Sequence, residues 1–320
     1  MASDPTLAMV LVVRDEERFL AEHLRYHRAL GVGRVYAYLD RCTDRTPEIL
    51  AATPDAVVIE RDRREDEPYM STYQCNCLGD ALDRARADGV GWLLHLDPDE
   101  FAHGENPGGD PSLPGLVRRA ATRLRGLGRR VDQLILRTVE AVPTPLGNGE
   151  TFRDLRWFQD GGVWEREVLD PGEGVVRTLG QWLGGNRGKS LLRVAADAEP
   201  ASAHHWRRRG GKKLVTVHAG SHFHYVVTDA GHWRQKYAKF SEFPAHWEKG
   251  SAVRFPKQAW KEASVSMDEG EAEAYFRRWV AADPAELERL AGTPAGRHLV
   301  RDDTVDRVLR GLRGLRGAGA

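Results

Sequence analysis

Long apolar runs are missing from this chain of 320 residues. A helix that crosses a bilayer needs roughly 20 apolar residues in a row, and no stretch approaches that length, so the sequence predicts no membrane span. The short apolar run at residues 7–13 has no basic segment before it and continues directly into Arg14, Asp15 and Glu16. This pattern favours a first β-strand over a secretory signal peptide.

Cysteine is scarce, with only three residues, Cys42, Cys75 and Cys77. The number is odd, Cys75 and Cys77 are too close for an ordinary disulfide, and the spacing matches no zinc site. Small buried thiols in a reducing compartment are the simplest interpretation, and we therefore expect a cytoplasmic protein.

An excess of charge of one sign is also absent, because 47 basic side chains balance 47 acidic ones. Without a general basic field the sequence gives no reason to expect a nucleic-acid partner. The G-x-S-x-G motif of serine hydrolases is missing. Residues 184–190 (GGNRGKS) come close to a P-loop, but the following LLRVAAD predicts a strand where a P-loop needs a helix.

What the chain does contain is an alternation of strand and helix patterns. Apolar runs predict strands at 7–13, 35–39, 56–60 and 92–96, and helical patterns lie between them at 16–30, from Pro47, and at 69–87. Such an alternation predicts an α/β domain with a parallel sheet and right-handed crossovers.

Beyond residue 104 the pattern is less regular. Residues 104–116 predict a loop, 143–190 predict long glycine-rich loops around a pocket, and 130–140 and 213–227 predict further strands. Helical, charged patterns follow. We therefore predict a mostly parallel, helix-flanked domain at 1–240 and a helical C-terminal region at 241–320, with a homodimer as one possible assembly.

Polar residues follow each of the first four predicted strands. They are Arg14–Glu16, Asp40, Arg61–Asp62 and Asp97–Asp99. Ligands of open parallel sheets bind at the carboxyl ends of the strands, and the sequence therefore predicts a site at that edge.

The segment WLLHLDPDEF brings Asp97 and Asp99 directly after a buried strand, separated by Pro98. Two carboxylates on such a bend can coordinate a hard divalent cation, which in turn can neutralise a diphosphate. His222 and His224 lie two residues apart on a predicted strand, and either imidazole could complete a site for Mn²⁺.

Taken in order, these motifs resemble glycosyltransferases of the GT-A fold, in particular the family 2-like bacterial group related to glycosyltransferase family 92. The resemblance covers roughly residues 7 to 240. It rests on the segments VVRDEERFLAEHLRYHRALGV, YLDRCTDRT and WLLHLDPDEF, on Gln74, on Lys189, Ser190 and Arg193, on His204 or His205, and on His224, Tyr225 and Lys236. Asp15 stands where the group has Asn, Arg41-Cys42 replaces an Asn-x-Ser element, and the N-W-x-x-F-G stretch of the group is missing.

The resemblance implies a role for each matching residue. Arg14, Glu16 and Asp40 would surround the nucleotide, a uridine, and Gln74 would help to bind the nucleotide-sugar. Asp97 would contact nucleotide-sugar and metal, and Asp99 would bind Mn²⁺ or Mg²⁺. His224, with His222 as its substitute, would be a later metal ligand, and Lys189 and Arg193 would lie near phosphate or acceptor.

The function implied is metal-dependent, inverting transfer of a sugar from a UDP-sugar to the hydroxyl of a glycan or small-molecule acceptor. Such a transfer needs a general base, for which Glu140 is the first candidate and Asp154 the second. Two alternatives stay open. A sugar-phosphate nucleotidyltransferase would need a glycine-rich loop after the first strand, where the chain has VLVVRDEE. A nucleotide-sugar-binding protein without turnover would fit the departures at Asp15 and Arg41.

Overall fold

The structure, a computed structural model, describes residues 5–64, 66–67, 69–105, 111–147, 149–162, 164–170, 174–180, 187–241, 246–248, 251–252 and 257–314. Of the predicted long loops at 143–190, residues 148, 163, 171–173 and 181–186 therefore lie outside the described residues. The helices are α1 Glu17–Ala29, α2 Thr46–Ala51, α3 Met70–Ala87, α4 Leu113–Arg125, α5 Ala230–Ser241, α6 Lys257–Ser266, α7 Glu269–Tyr275, α8 Pro284–Leu290 and α9 Thr304–Gly314.

The strands are mostly short. They are β1 Leu7–Val13, β2 Val32–Leu39, β3 Ala56–Glu60, β4 Trp92–His95, β5 Glu100–His103, β6 Gln133–Ala141, β7 Trp157–Gln159, β8 Trp164–Asp170, β9 Gly174–Gly180, β10 Lys189–Arg193, β11 Ala198–Pro200, β12 Trp206–Arg208, β13 Thr216–His224, β14 His246–Glu248, β15 Ser251–Ala252 and β16 Leu299–Arg301.

Contacts divide the chain into two compact units. The first comprises Met1–Thr138, Arg187–Phe223 and Thr304–Ala320, and the second comprises Val139–Asn186 and His224–Asp303. The domain boundary that the sequence predicts at residue 240 falls inside the second unit, within α5.

The first unit is built on a parallel sheet with the strand order β3-β2-β1-β4. Beyond β4 the sheet continues with β10, which runs antiparallel to β4, and with β6, which runs antiparallel to β10. The residues of β1 are almost all buried, as expected for a central strand covered on both faces. The predicted α/β fold class, a sheet flanked by helices, is confirmed.

Helices α1 and α3 flank this sheet with the apolar faces that their sequences predict. On α3 the side chains of Cys77, Leu78, Ala81 and Leu82 are buried in a core that includes Val10 of β1. The helical period of these small and aliphatic residues fixes which face of α3 is inward.

Helix α4 was not expected, because residues 104–116 predicted only a loop. The loop ends at Ser112, whose Oγ accepts a hydrogen bond of 3.2 Å from the Gly115 amide and so caps the helix. Pro114 lies in the first turn, where a missing amide hydrogen costs nothing. Glycine and proline thus mark a helix start here.

The second unit has an aromatic core. Trp233 stacks on Tyr275 with ring centroids 5.3 Å apart, and Tyr237 meets Trp260 edge to face at 5.5 Å. The predicted long loops at 143–190 are wrong in part, because strands β8 and β9 form an antiparallel hairpin there. In β8, WEREVLD, three consecutive charged residues and the many glycines around the hairpin obscured the strand.

Within the described ranges, none of the helices is both long and apolar enough to cross a membrane.

Candidate functional site

The carboxyl ends of β1, β2 and β4 meet at one edge of the first unit's sheet. Val13 pairs with Leu39 at the ends of β1 and β2, and Val10 pairs with His95 of β4. The Asp40 amide donates to the Val13 carbonyl at 2.9 Å and ties the two strand ends together. The predicted clustering of polar strand ends is thus realised at this edge, which we call the carboxyl edge.

Asp40 is buried at this edge, with 1% of its surface exposed. Its Oδ1 accepts from Arg41 Nε at 3.1 Å. Its buried Oδ2 has no hydrogen-bond partner in the part of the chain that the structure describes. Buried carboxylate oxygens are normally satisfied, so an acceptor of this kind suits a ligand that donates an N–H or O–H.

The loops after β1 and β2 are joined to each other by side chains. Asp15 Oδ1 accepts from the Thr43 amide at 2.6 Å, and Thr46 Oγ1 accepts from the Glu16 amide at 2.7 Å. Asp15 has a φ of 52°, a left-handed conformation that Asp and Asn tolerate better than most residues. An Asn side chain could make the same contact. This explains why Asp15 can stand where the glycosyltransferases that the sequence resembles have Asn. Arg14 is half-buried in this loop region.

The acidic turn after β4, Asp97–Glu100, has a positive partner within the chain. Lys189 Nζ lies 2.7 Å from Asp97 Oδ2 and 3.1 Å from Glu100 Oε2. Glu100 Oε2 also accepts from the Asp97 amide at 2.9 Å, which closes the turn. Burial alone would lower the pKa of Lys189, but the charges of Asp97 and Glu100 hold that pKa above its usual value.

That Lys189 lies near phosphate or acceptor stays a prediction, and the structure adds what its side chain contacts. Its side chain is only 2% exposed and its ammonium contacts carboxylates. Asp97 keeps 34% of its side chain exposed, and its Oδ1 accepts no hydrogen bond from any residue that the structure describes. Asp97 is thus the carboxylate of the turn that solvent or a ligand can reach.

Glycine is required directly before this lysine. Gly188 has a φ of +72°, and a Cβ there would lie 2.5 Å from the Leu136 carbonyl oxygen. Lys189 pairs with Leu136 at the start of β10, so the close approach of β10 to β6 fixes where its side chain starts.

Three histidines surround the ion pair. His95 Nδ1 lies 2.6 Å from the Ala203 carbonyl oxygen. Because a carbonyl oxygen can only accept, Nδ1 carries the hydrogen and donates it, and Nε2 of the neutral ring carries the lone pair. Burial, together with the charge of Lys189, lowers the pKa of His95 to about 4. His204 Nδ1 likewise lies 2.9 Å from the Gly188 carbonyl, and burial and Lys189 lower its pKa to about 4. His222 Nε2 is 3.5 Å from Glu100 Oε1.

Sequence reasoning missed His95 altogether. The available signal was a titratable residue inside the apolar run WLLHL, followed two positions later by Asp97. Sequence reasoning did find His222, and the structure places that residue beside the acidic turn.

Arg193 does not lie at the carboxyl edge. It pairs with Trp92, the first residue of β4, and therefore stands at the opposite edge of the sheet. Its guanidinium donates to the Val131 carbonyl at 2.8 Å and forms an ion pair with Asp132. The prediction that Arg193 binds the nucleotide-sugar is corrected accordingly, since antiparallel β10 carries Lys189 and Arg193 to opposite ends. Gln74 is half-buried on α3, and its side chain makes no hydrogen bond to the described residues.

Three further predicted residues belong to the second unit. Asp154 Oδ2 accepts a hydrogen bond of 2.8 Å from the Thr151 amide. This contact caps a short helical turn and gives the Asp154 carboxylate a structural role. Glu140 is buried on β6 and pairs with Gln159 of β7. His224 is half-buried at the end of β13.

Among the residues that the structure describes, no group of three or more His, Cys, Asp or Glu side chains forms a metal cage. A cage is not what Mg²⁺ usually requires, because it is commonly held by one or two carboxylates together with substrate phosphates. The oxygen of Asp97 that a ligand can reach fits a cation of that shared kind, whereas Asp99, predicted as a second ligand, is buried with 6% of its surface exposed.

An open α/β sheet with polar side chains gathered at the carboxyl ends of its parallel strands is an arrangement typical of nucleotide-binding domains. No family model matches the chain. A curated glycosyltransferase-like protein of Arabidopsis thaliana is 24% identical over 210 residues, which cover 57% of this chain and 44% of that protein. The chain thus spans less than half the length of this relative.

Solved structures show weaker likeness. Glucosyl-3-phosphoglycerate synthase from Mycobacterium tuberculosis in complex with Mg²⁺ and UDP is 18% identical, with 42% of this chain and 44% of that one covered and a TM-score of 0.27. A mycobacterial protein is 16% identical, with 78% of each chain covered and a TM-score of 0.37. Both TM-scores are below 0.5, so the fold class rests on the strand order itself.

Proposed function

We propose that this chain is a glycosyltransferase that moves a sugar from a nucleotide-sugar, a UDP-sugar, to an acceptor hydroxyl. The observation that carries the proposal is the carboxyl edge, where the buried acceptor oxygen of Asp40 and the acidic turn at Asp97 follow β2 and β4, the two strands that flank β1. The similarity to a curated glycosyltransferase-like protein supports it.

The donor would bind along this edge. Asp40 Oδ2 would accept a hydrogen bond from the nucleoside, whose binding would satisfy a buried oxygen that otherwise costs stability. Arg14 and Glu16, in the adjoining loop, and Gln74, on α3, would line the nucleotide-sugar. Lys189 would support the site by holding the carboxylates of Asp97 and Glu100 in place.

A divalent cation, Mn²⁺ or Mg²⁺, would be held by Asp97 and Asp99, with His222 or His224 as a further ligand. When bound, such a cation supplies positive charge that stabilises a departing diphosphate. The chain's own contribution is a preset turn: Lys189 holds Asp97 Oδ2 at 2.7 Å, while the Asp97 side chain keeps 34% of its surface exposed.

Acceptor activation would require a carboxylate that removes the hydroxyl proton. Glu140 stays the first candidate for an inverting reaction. Asp154 becomes the weaker one, because its carboxylate already caps a helical turn.

The proposal predicts that UDP binds in the presence of Mn²⁺ and that Asp40→Asn weakens the binding at least tenfold. A hydrogen bond to a charged group contributes about 1.5–3 kcal/mol, which corresponds to roughly ten- to hundredfold in affinity. Isothermal titration calorimetry measures the binding, and release of UDP from UDP-sugars measures turnover.

Asp83→Asn is the matched control, because the Asp83 side chain is 69% exposed on α3. Equal UDP affinity in the wild type, Asp40→Asn and Asp83→Asn would overturn the placement of the nucleotide. Tight UDP binding without turnover of any UDP-sugar would instead identify a binding protein of the same fold.

A further inference from the structure

A basic cleft lies in the first unit, on the segment that follows β12. Its volume is about 570 Å³, and the residues that matter here are Arg129, Trp206, Arg207, Lys212, Lys213 and Leu214. Arg129 follows α4, and the others belong to β12 and the turn that leads into β13. We call this feature the basic cleft.

The charge of the basic cleft is of one sign, since no Asp or Glu is among the described residues that line it. Arg129, Lys212 and Lys213 are exposed, and their side chains form no ion pair with any residue within the described ranges. Arg207 pairs with Glu199 at 2.7 Å, but 65% of its side chain is exposed. Cations gathered in this way repel one another, and a bound anion would relieve the repulsion.

The wall of the basic cleft is fixed by a buried charge. Asp132, with a side chain only 3% exposed, accepts from Arg208 at 2.8 Å and from the Val215 amide at 3.0 Å. Burial alone would raise the pKa of Asp132, but these hydrogen bonds and the neighbouring guanidinium of Arg193 lower it below its usual value. The Trp206 amide donates to Gln133 Oε1 at 2.9 Å. The segment that carries the lysines is therefore anchored on both sides of its turn.

The basic cleft is separate from the candidate donor site. Asp132 pairs with Arg193, and Arg193 lies beside Trp92, the first residue of β4. Asp97 lies beyond the other end of β4. The cleft thus lies at the amino edge of the sheet and the acidic turn at the carboxyl edge.

We propose that the basic cleft binds a small anion that carries several phosphate groups. Arginine guanidinium groups match phosphate oxygens in pairs, and lysine ammonium groups add point charges. Several cations around one cleft of limited volume suit a compact ligand with several charges. A long polyanion would instead require a basic stripe, which a chain of zero net charge does not suggest.

Tripolyphosphate is a suitable probe, titrated by calorimetry at low ionic strength without divalent metal. We expect binding at one site, at least tenfold weaker in Lys212→Gln/Lys213→Gln and in Arg129→Gln. The matched control is Arg277→Gln/Arg289→Gln, which removes two charges from side chains that are 54% and 70% exposed, and it should change the affinity less than twofold. Circular dichroism and thermal unfolding verify that each variant is folded.

Four outcomes would overturn the inference: no binding, an equal loss of affinity in the control, equal affinity for orthophosphate, or tighter cleft-dependent binding of an oligonucleotide. Saturating UDP should leave tripolyphosphate binding intact. Displacement by UDP, or loss of binding in Asp40→Asn, would assign the anion to the carboxyl edge instead. Because this readout does not involve glycosyl transfer, it can succeed or fail independently of the proposed function.

Discussion

At the scale of single residues, Lys189 balances the carboxylates of Asp97 and Glu100, which follow a buried strand. Its side chain is 2% exposed, and its Nζ lies within 3.1 Å of both carboxylates. A charge buried at this depth is tolerated because it is paired, and removal of one partner leaves the other uncompensated.

We therefore predict that Lys189→Met destabilises the protein by about 3 kcal/mol, since the buried Glu100 and the partly exposed Asp97 would lose their cation. Urea unfolding at neutral pH measures the change. Lys213→Met is the matched control, because Lys213 is exposed, and we expect a change of less than about 0.5 kcal/mol.

The double variant Lys189→Met/Glu100→Gln separates the ion pair from packing. If the pair is coupled, the double variant is more stable than the sum of the two single changes by at least about 1 kcal/mol. Strict additivity would mean that Lys189 acts through its aliphatic stem alone.

At the scale of elements, strand β10 determines which residues reach the carboxyl edge. It is antiparallel to both neighbours. Lys189 and Arg193, four positions apart in the sequence, therefore lie at opposite edges of the sheet. The resemblance carried both residues to one site, and a local motif could not reveal the direction of the strand.

Gly188→Ala should displace β10, because the new Cβ would lie 2.5 Å from the backbone oxygen of Leu136 at a φ of +72°. We predict a loss of more than about 2 kcal/mol in the free energy of unfolding, together with weaker UDP binding. Urea unfolding and calorimetry measure the two effects.

Gly79→Ala provides the contrast, since Gly79 lies inside α3 and a Cβ there meets nothing within 4 Å. Alanine at a helix interior is favoured over glycine by up to about 1 kcal/mol. If Gly188→Ala and Gly79→Ala change the free energy of unfolding in the same direction, the close approach at Gly188 does not require glycine.

At the scale of the whole molecule, buried histidines couple the stability of the fold to pH. Burial lowers the pKa of His23 and His95 to about 4 and lowers that of His27 well below its usual value. The unfolded chain takes up protons first as the pH falls below about 6.5. Stability from these residues is therefore complete above that pH and is lost as the pH falls toward 4.

We predict that the free energy of unfolding falls between pH 6.5 and pH 5 by about 1.4 kcal/mol per pH unit for each such histidine once its ring is protonated in the unfolded chain. Denaturant titrations across this range measure the slope. His23→Leu should reduce the slope of the free energy of unfolding against pH by the contribution of about one proton. His218→Leu, at an exposed position, should leave the slope unchanged. Equal slopes in the wild type and in His23→Leu would contradict the expected linkage.

Much of the first unit could be predicted because its signals are local. The runs at 7–13 and 56–60 match β1 and β3 residue for residue, since short apolar runs of that length favour strands. Helix α4 and the β8–β9 hairpin were not predicted, because glycine and proline cap helices and close turns as readily as they form loops.

The sequence by itself determined the parallel strands, the helices between them and the polar residues at their ends, because periodicity and chain order act over neighbouring residues. Only the tertiary structure decided that Lys189 balances Asp97 and Glu100, that Arg193 pairs with Asp132 at the opposite edge, and that Asp40 Oδ2 is buried without a hydrogen-bond partner among the described residues. Residues 92 positions apart, such as Asp97 and Lys189, meet only when distant strands pair. Which distant strands pair is decided by the packing of the whole sheet, and a pattern over neighbouring residues does not encode it.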